Sequence, residues 1–157
     1  MTPELFKQIA GHWLTGVAIV TATAADGELC GMTMSAVTSL SLNPPQFLVC
    51  MDKRAKTLAA IAHSKAFCIH FLSEHQRDLS NHFARPGGDR FTGIPYSIGE
   101  TGAPILEGVI ALVECRLAEL LPGGDHSIVI GDAVTGAVPG GHPLAYFHGG
   151  YHKIDQS

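Results

Sequence analysis

From Gly31 to Leu42 the chain alternates with a period of two. Thr33, Ser35, Ser39 and Ser41 share one side, and Met32, Met34, Ala36, Leu40 and Leu42 the other, which predicts a half-buried β segment. The polar side carries hydroxyls and no charge: residues 29–51 contain no Asp, Glu, Lys or Arg. Short uncharged donor/acceptor groups suit a face lying against a flat polar ligand. A buried polar face satisfied by neighbouring backbone would look the same in sequence.

The remaining pattern predicts a β-rich chain with three helices. Thr2-Pro3-Glu4 reads as cap, first-turn proline and first-turn acid, opening a helix to about residue 12. The β-branched run 17–23 is followed by Asp26-Gly27, a hairpin signal into 29–34. Asn43-Pro44-Pro45 breaks the chain before a strand at 47–51. Residues 57–64 have helical composition, 67–72 read as a strand and 74–84 as a helix with a polar face. Residues 85–104, rich in Gly and Pro, form a long excursion of the kind that is usually functional or covering. Strand runs at 109–121 and 127–138 flank a Pro122-Gly-Gly-Asp turn, and 144–147 is a last short strand. Six or so strands with few helices predict a closed or nearly closed antiparallel barrel.

With 157 residues, the chain is expected to form a single domain over 1–157. Hydrophobic residues make up 46% and charged residues only 15%, a balance that points to burial beyond a monomer, as in a dimer. A net charge of −4 offers no general attraction to nucleic acid or anionic membranes. Cys30, Cys50, Cys68 and Cys115 stand singly in apolar runs, as core residues of a protein in a reducing cytoplasm would. The first residues lack the layout of a signal peptide, and the hydroxyls and prolines of 29–51 argue against a membrane span.

Candidate chemistry collects in three further places. Asp52-Lys53-Arg54-Ala55-Lys56-Thr57 puts three of the ten basic residues between a strand and a helix. A helix N-terminus with adjacent cations binds phosphate well, although Thr57 as an ordinary cap in a solvated loop fits the same letters. Phe83-Ala84 and Asp89-Arg90-Phe91 offer an aromatic and an arginine that could clamp a ring system; pairing of Arg90 with Asp89 or a helix end is the alternative. Gly123-Gly124-Asp125-His126 and Gly149-Gly150-Tyr151 supply glycines that allow close backbone approach, with His126 at a loop edge. There is no dinucleotide or phosphate-loop fingerprint and no nucleophile elbow. Among nine histidines, His148 and His152 lie at i, i+4 without an acidic ligand, so no metal is expected.

The ordered set Thr15-Gly-Val17, Gly31-Met-Thr33, Thr38-Ser-Leu-Ser41, Pro44-Pro45, Asp52–Thr57, Phe83-Ala84, Asp89-Arg-Phe91, Gly124-Asp-His126 and Tyr146–Tyr151 closely resembles the flavin reductase family over roughly residues 6–151. Members are small reductase components of two-component flavin-dependent monooxygenases. The resemblance implies an FMN-binding split β-barrel, a Greek-key antiparallel barrel, as a homodimer with flavin near the subunit interface.

By the same resemblance Thr33, Met34, Ser35 and Ala36 would line the isoalloxazine, with Thr38 and Ser39 continuing toward the ribityl chain and phosphate. Asp52, Lys53, Arg54, Ala55, Lys56 and Thr57 match the phosphate-side loop, and Phe83, Ala84 and Arg90 the covering segment. His126 and Tyr151 match positions near the nicotinamide. Many members carry two small polar residues where this chain has Ser35-Ala36, so only a backbone contact is expected at Ala36. The implied activity is hydride transfer from NADH or NADPH to FMN or FAD, with reduced flavin passed to a partner monooxygenase. That step needs two rings held in stacking reach and no acid or base from the protein, in keeping with the lack of a catalytic carboxylate pair. An oxidase of the pyridoxamine-phosphate type and a non-catalytic flavin carrier are the alternatives.

Overall fold

In the computed structural model, which describes residues 1–154, the chain runs α1 (Pro3–Gly11), β1 (Thr15–Gly16), β2 (Ala18–Thr23), β3 (Leu29–Met34), β4 (Val37–Leu42), β5 (Pro45–Asp52), α2 (Lys56–Ser64), β6 (Ala66–Phe71), α3 (Arg77–Ala84), β7 (Tyr96–Ile98), β8 (Pro104–Leu106), β9 (Ala111–Gly123), β10 (His126–Ala137), β11 (Ala145–Phe147) and β12 (Gly150–His152). Residues 155–157, the end of the expected single domain, lie outside the described residues. Local signals act as the sequence predicts. The Thr2 hydroxyl accepts from the Leu5 N–H at 3.2 Å with proline in the first turn, and Gly27 closes the β2–β3 hairpin at φ +85°.

Seven strands form one antiparallel sheet in the order β3-β2-β6-β9-β10-β5-β4. The sheet curls on itself. Val20, Met34, Val49, Phe67, Cys115 and Val129, from six different strands, meet in one core cluster. Phe47 and Phe71, three places apart in the strand order, bring their rings to 6.1 Å. Strand pairing does not close the circle, however: β3 and β4 are the two edges. The barrel is therefore split, as the family resemblance implies, and not closed or nearly closed as the strand count alone suggests. The expected continuous alternation across 31–42 also breaks at Ser35-Ala36, and a bulge between Ser39 and Ser41 disturbs it again. Leu40 and Leu42, expected on the buried side, are 45% and 91% exposed because the edge strand β4 turns them away from the core.

A second core beneath α3 joins Val17, Ile19, Phe83, Phe91, Leu106 and Leu144. The excursion after α3 is less irregular than expected, because its end forms the β7–β8 hairpin. Buried Glu114 pins the hairpin turn, accepting from the Thr101 hydroxyl at 2.7 Å and the Thr101 and Glu100 N–H groups at 2.8 and 3.2 Å. At Gly131 in β10 a Cβ would overlap the Phe67 ring and come within 2.8 Å of the Cys115 Cβ, which explains glycine inside a strand.

His70 of β6 is fully buried between these cores. Its Nδ1–H donates to the Ile19 carbonyl at 3.1 Å, and its Nε2 accepts from the Leu106 N–H at 3.1 Å, which fixes a neutral tautomer. Burial pushes its pKa down to about 4. Between that value and the ordinary 6.5, the unfolded chain binds the proton and the folded chain does not. Stability from this group is thus complete above pH 6.5 and falls on acidification, by about 3 kcal/mol once both states are protonated. Denaturant melts from pH 7 to pH 4 should show this slope, and His70→Gln, which cannot titrate, should lack it. Equal slopes in the two proteins would refute the assignment.

Candidate functional site

The outer face of β3 is lined by a run of clefts. The first, about 460 Å³, lies between the β2–β3 hairpin, the β5–α2 turn and the end of α3. The second, about 230 Å³, adjoins it through Thr33 and Ala84 and reaches Ser80, Tyr146 and Tyr151. The third, about 1270 Å³, adjoins that one through Ser35 and Tyr146 and opens between α1 and β4. Together they make a groove with charged groups at one end and aromatic and hydroxyl groups at the other.

The charged end is built on the turn from β5 into α2. Ala55, the cap residue, has no side-chain oxygen for the first-turn N–H groups of α2, so the positive helix end is open to an anion. Asp52 holds Arg54 by a fork: Nε to Oδ1 at 3.0 Å and Nη2 to Oδ2 at 2.7 Å. These bonds and the Arg54 N–H keep the Asp52 carboxyl well below the usual carboxylate range. Lys56 lies 3.7 Å from Glu28, and both line the same cleft. The cations there are thus already paired, which the sequence did not disclose.

The middle of the groove is set by close packing. A Cβ on Gly31 would meet the Phe83 ring at 2.7 Å, so glycine in β3 is what lets this buried ring pack directly against the strand beside the cleft. Arg90 ties the wall together: Nη1 donates to the Gly31 and Phe83 carbonyls at 2.6 and 2.7 Å, and Nη2 to the Arg85 carbonyl at 2.5 Å. Its charge is therefore spent on the helix end, the alternative weighed from sequence, while Asp89 instead caps the Phe91 N–H at 2.8 Å. The Thr33 hydroxyl donates to the Ser80 carbonyl at 2.7 Å. Tyr151 is bracketed by Ser80 Oγ at 2.8 Å and Asn81 Oδ1 at 3.0 Å, with the Arg77 guanidinium 5.5 Å above its ring.

Of the residues predicted from sequence, Thr33, Asp52, Arg54, Ala55, Lys56, Thr57, Phe83, Ala84 and Arg90 line the first cleft together. Met34 and Tyr151 line the second, Ala36 and Thr38 the third, and Ser35 both. Ser39 is exposed on β4 and lines none of these clefts. Lys53 turns away to donate to the Gly124 carbonyl at 2.6 Å. His126 begins β10 opposite Asp52 and bonds Asp125 at 2.7 Å, so it and Tyr151 are not brought together within one chain. That contact holds the Asp125 carboxyl below its ordinary pKa. Sequence reading missed Glu28, Gly87 and Gly88 in the first cleft and Tyr146 in the other two. The Gly87-Gly88 pair, at φ +77° and +76°, was the one legible signal among them.

A family model described as flavin reductase like domain matches residues 10–155. A Pseudomonas putida protein named flavin reductase is 36% identical over 150 residues, covering 95% of this chain and 88% of that one. The reductase component of the 4-nitrophenol 4-monooxygenase/4-nitrocatechol 2-monooxygenase of Rhodococcus opacus is 40% identical over 144 residues, covering 92% and 77%. A Rhizobium meliloti relative, 39% identical over 149 residues, is longer, and the chain spans only 48% of it. Among solved structures, the Streptomyces globisporus C-1027 NADH:FAD oxidoreductase SgcE6, in complex with NAD and FAD fragments, superposes with a TM-score of 0.90. It is 31% identical, with 96% of this chain and 91% of that one covered. Sequence and fold agree, and the chain belongs to the flavin reductase like domain family.

Proposed function

We propose that this chain is an NAD(P)H:flavin oxidoreductase, one domain over residues 1–157, that supplies reduced FMN or FAD to a partner monooxygenase. The observation that carries the reading is the groove along β3, with an open helix end and Arg54 and Lys56 at one end, and Tyr146 and Tyr151 at the other. The fit to a flavin is chemical. Phosphate suits the α2 N-terminus, and a flat ring suits the uncharged stretch from Gly31 to Ala36.

Bound flavin supplies the acceptor for a hydride from the nicotinamide. The protein's part is positional. Arg90 fixes the Gly31 and Phe83 backbone, Thr33 fastens β3 to α3, and Asp52 orients Arg54 toward the cleft. Nothing in the step requires the protein to move a proton, and the value of these residues lies in holding two rings in reach. His126 and Tyr151 are proposed for the nicotinamide side, from two subunits if they act at one site.

A homodimer fits the surface. α1 buries none of its residues, and Leu5, Phe6, Ile9, Trp13 and Leu14 are exposed beside the large cleft that α1 shares with β4. The Thr15 hydroxyl beside that cleft is buried without a hydrogen-bond partner among the described residues. Cytoplasmic placement is supported by four free cysteines, three of them buried. Among the described residues, no helix is long and apolar enough to cross a membrane.

The purified chain should oxidise NADH or NADPH only when flavin is added, followed by loss of the reduced nicotinamide absorbance. No turnover with FMN, FAD or riboflavin and either nucleotide would sink the reading. Replacing Arg54 and Lys56 together by alanine should raise KM for FMN and FAD more than for riboflavin, which has no phosphate. Because both side chains are exposed, the effect should shrink with added salt. Equal weakening of all three flavins would move the phosphate elsewhere.

A further inference from the structure

We propose that His12 and His148 form a two-imidazole site for a divalent transition-metal ion of the Zn²⁺ class, joining the end of α1 to the turn between β11 and β12. The Nε2 atoms of the two rings are 3.1 Å apart and both side chains are exposed. Two nitrogens bound to one tetrahedral ion at about 2.0–2.1 Å stand about 3.3 Å apart, so little rotation is needed. His12 is already oriented as metal ligands are: its Nδ1–H donates to the Gln8 carbonyl at 2.7 Å, which leaves Nε2 as a lone-pair donor. The present contact then has His148 Nε2–H donating to His12, and transfer of that proton to the other ring nitrogen of His148 frees a second lone pair.

The frame that presents the two rings is firm. His12 caps α1. His148 and Gly149, at φ +54° and +79°, form the two-residue loop of the β11–β12 hairpin. The His148 N–H donates to the Gly11 carbonyl at 2.8 Å, so the backbones are already joined where the ion sits. No third histidine, cysteine or carboxylate completes a cluster among the described residues, so water fills the remaining positions and the ion is exchangeable. Imidazole pairs favour Zn²⁺, Ni²⁺ or Cu²⁺ over Mg²⁺ or Ca²⁺. The hairpin carries Tyr146 and Tyr151, so the ion would brace one end of the groove. The site stands on its own geometry and not on the reductase reading.

The test uses the untagged full chain, stripped with EDTA, with Zn²⁺ as the probe in calorimetric titration and thermal melts. One ion should bind per chain, and the melting temperature should rise with Zn²⁺ and return with EDTA. His12→Asn and His148→Asn should each weaken binding by more than about tenfold, since loss of a ligand exceeds loss of a supporting partner. Asparagine tolerates the left-handed backbone at 148, and circular dichroism verifies folding of each variant. His12→Gln repeats the test should His12→Asn not fold. The exposed His75→Asn should bind as the parent does. No binding by the parent, binding retained in a folded His12 or His148 variant, or equal loss in His75→Asn would each overturn the proposal.

Discussion

Replacing Phe83 with alanine should destabilise the chain by about 3–5 kcal/mol, the usual range for deleting a buried aromatic ring. Phe83 is fully buried, and its ring stands edge-on to Phe91 at 5.3 Å. The hole would not readily close, because Gly31 has no side chain to move into it and Arg90 holds both backbones in place. Urea unfolding measures the loss, and a value below about 1 kcal/mol would contradict the packing described. The same deletion removes the packing behind Gly31 in the wall of the first cleft, so the variant should bind riboflavin and FMN worse to a similar degree. That pattern separates loss of the wall's shape from loss of charge at Arg54 and Lys56.

Arg90→Ala is expected to cost about 2–4 kcal/mol, although Arg90 is only half-buried. Its guanidinium serves three carbonyls, those of Gly31, Phe83 and Arg85, and alanine strips all three at once. Water from the open cleft can reach some of them, which keeps the cost below the sum of three charge-assisted bonds. Lysine has the charge without the planar fork, so Arg90→Lys should fall between parent and alanine. Hydrogen exchange should locate the effect: amides of residues 85–94 should lose protection while β9 and β10 stay protected. Unchanged exchange there would mean that the segment is held by something other than Arg90.

These two residues mark where sequence reasoning succeeds and where it stops. Phe83 and Arg90 were legible as candidates, because an aromatic and an arginine near a helix end are unusual side chains in a telling place. What Arg90 binds was not legible, since backbone carbonyls leave no trace in the sequence. The basic turn at 52–57 was placed correctly beside the helix that begins at Lys56, yet its pairing of Arg54 with Asp52 depended on a fork geometry that letters do not encode. The Thr2-Pro3-Glu4 helix start and the Asp26-Gly27 hairpin were legible because each is a local rule of backbone conformation. The alternation at 31–42 misled for a physical reason. Period two marks which residues share a side, but not where a strand ends or what covers it, so one long strand was read where two edges of a split sheet exist. Strands of two and three residues, such as β1 and β12, are held by their partners and have no period of their own.

Trp13, just beyond α1, is the single tryptophan of the chain and is 77% exposed. Its emission therefore starts from a solvated indole in the folded monomer, and unfolding changes that environment little. Tryptophan fluorescence would miss the melting of both cores and report instead on whatever covers the end of α1. A blue shift on raising protein concentration would then be an optical isotherm for association, obtained without a label, while circular dichroism follows the fold.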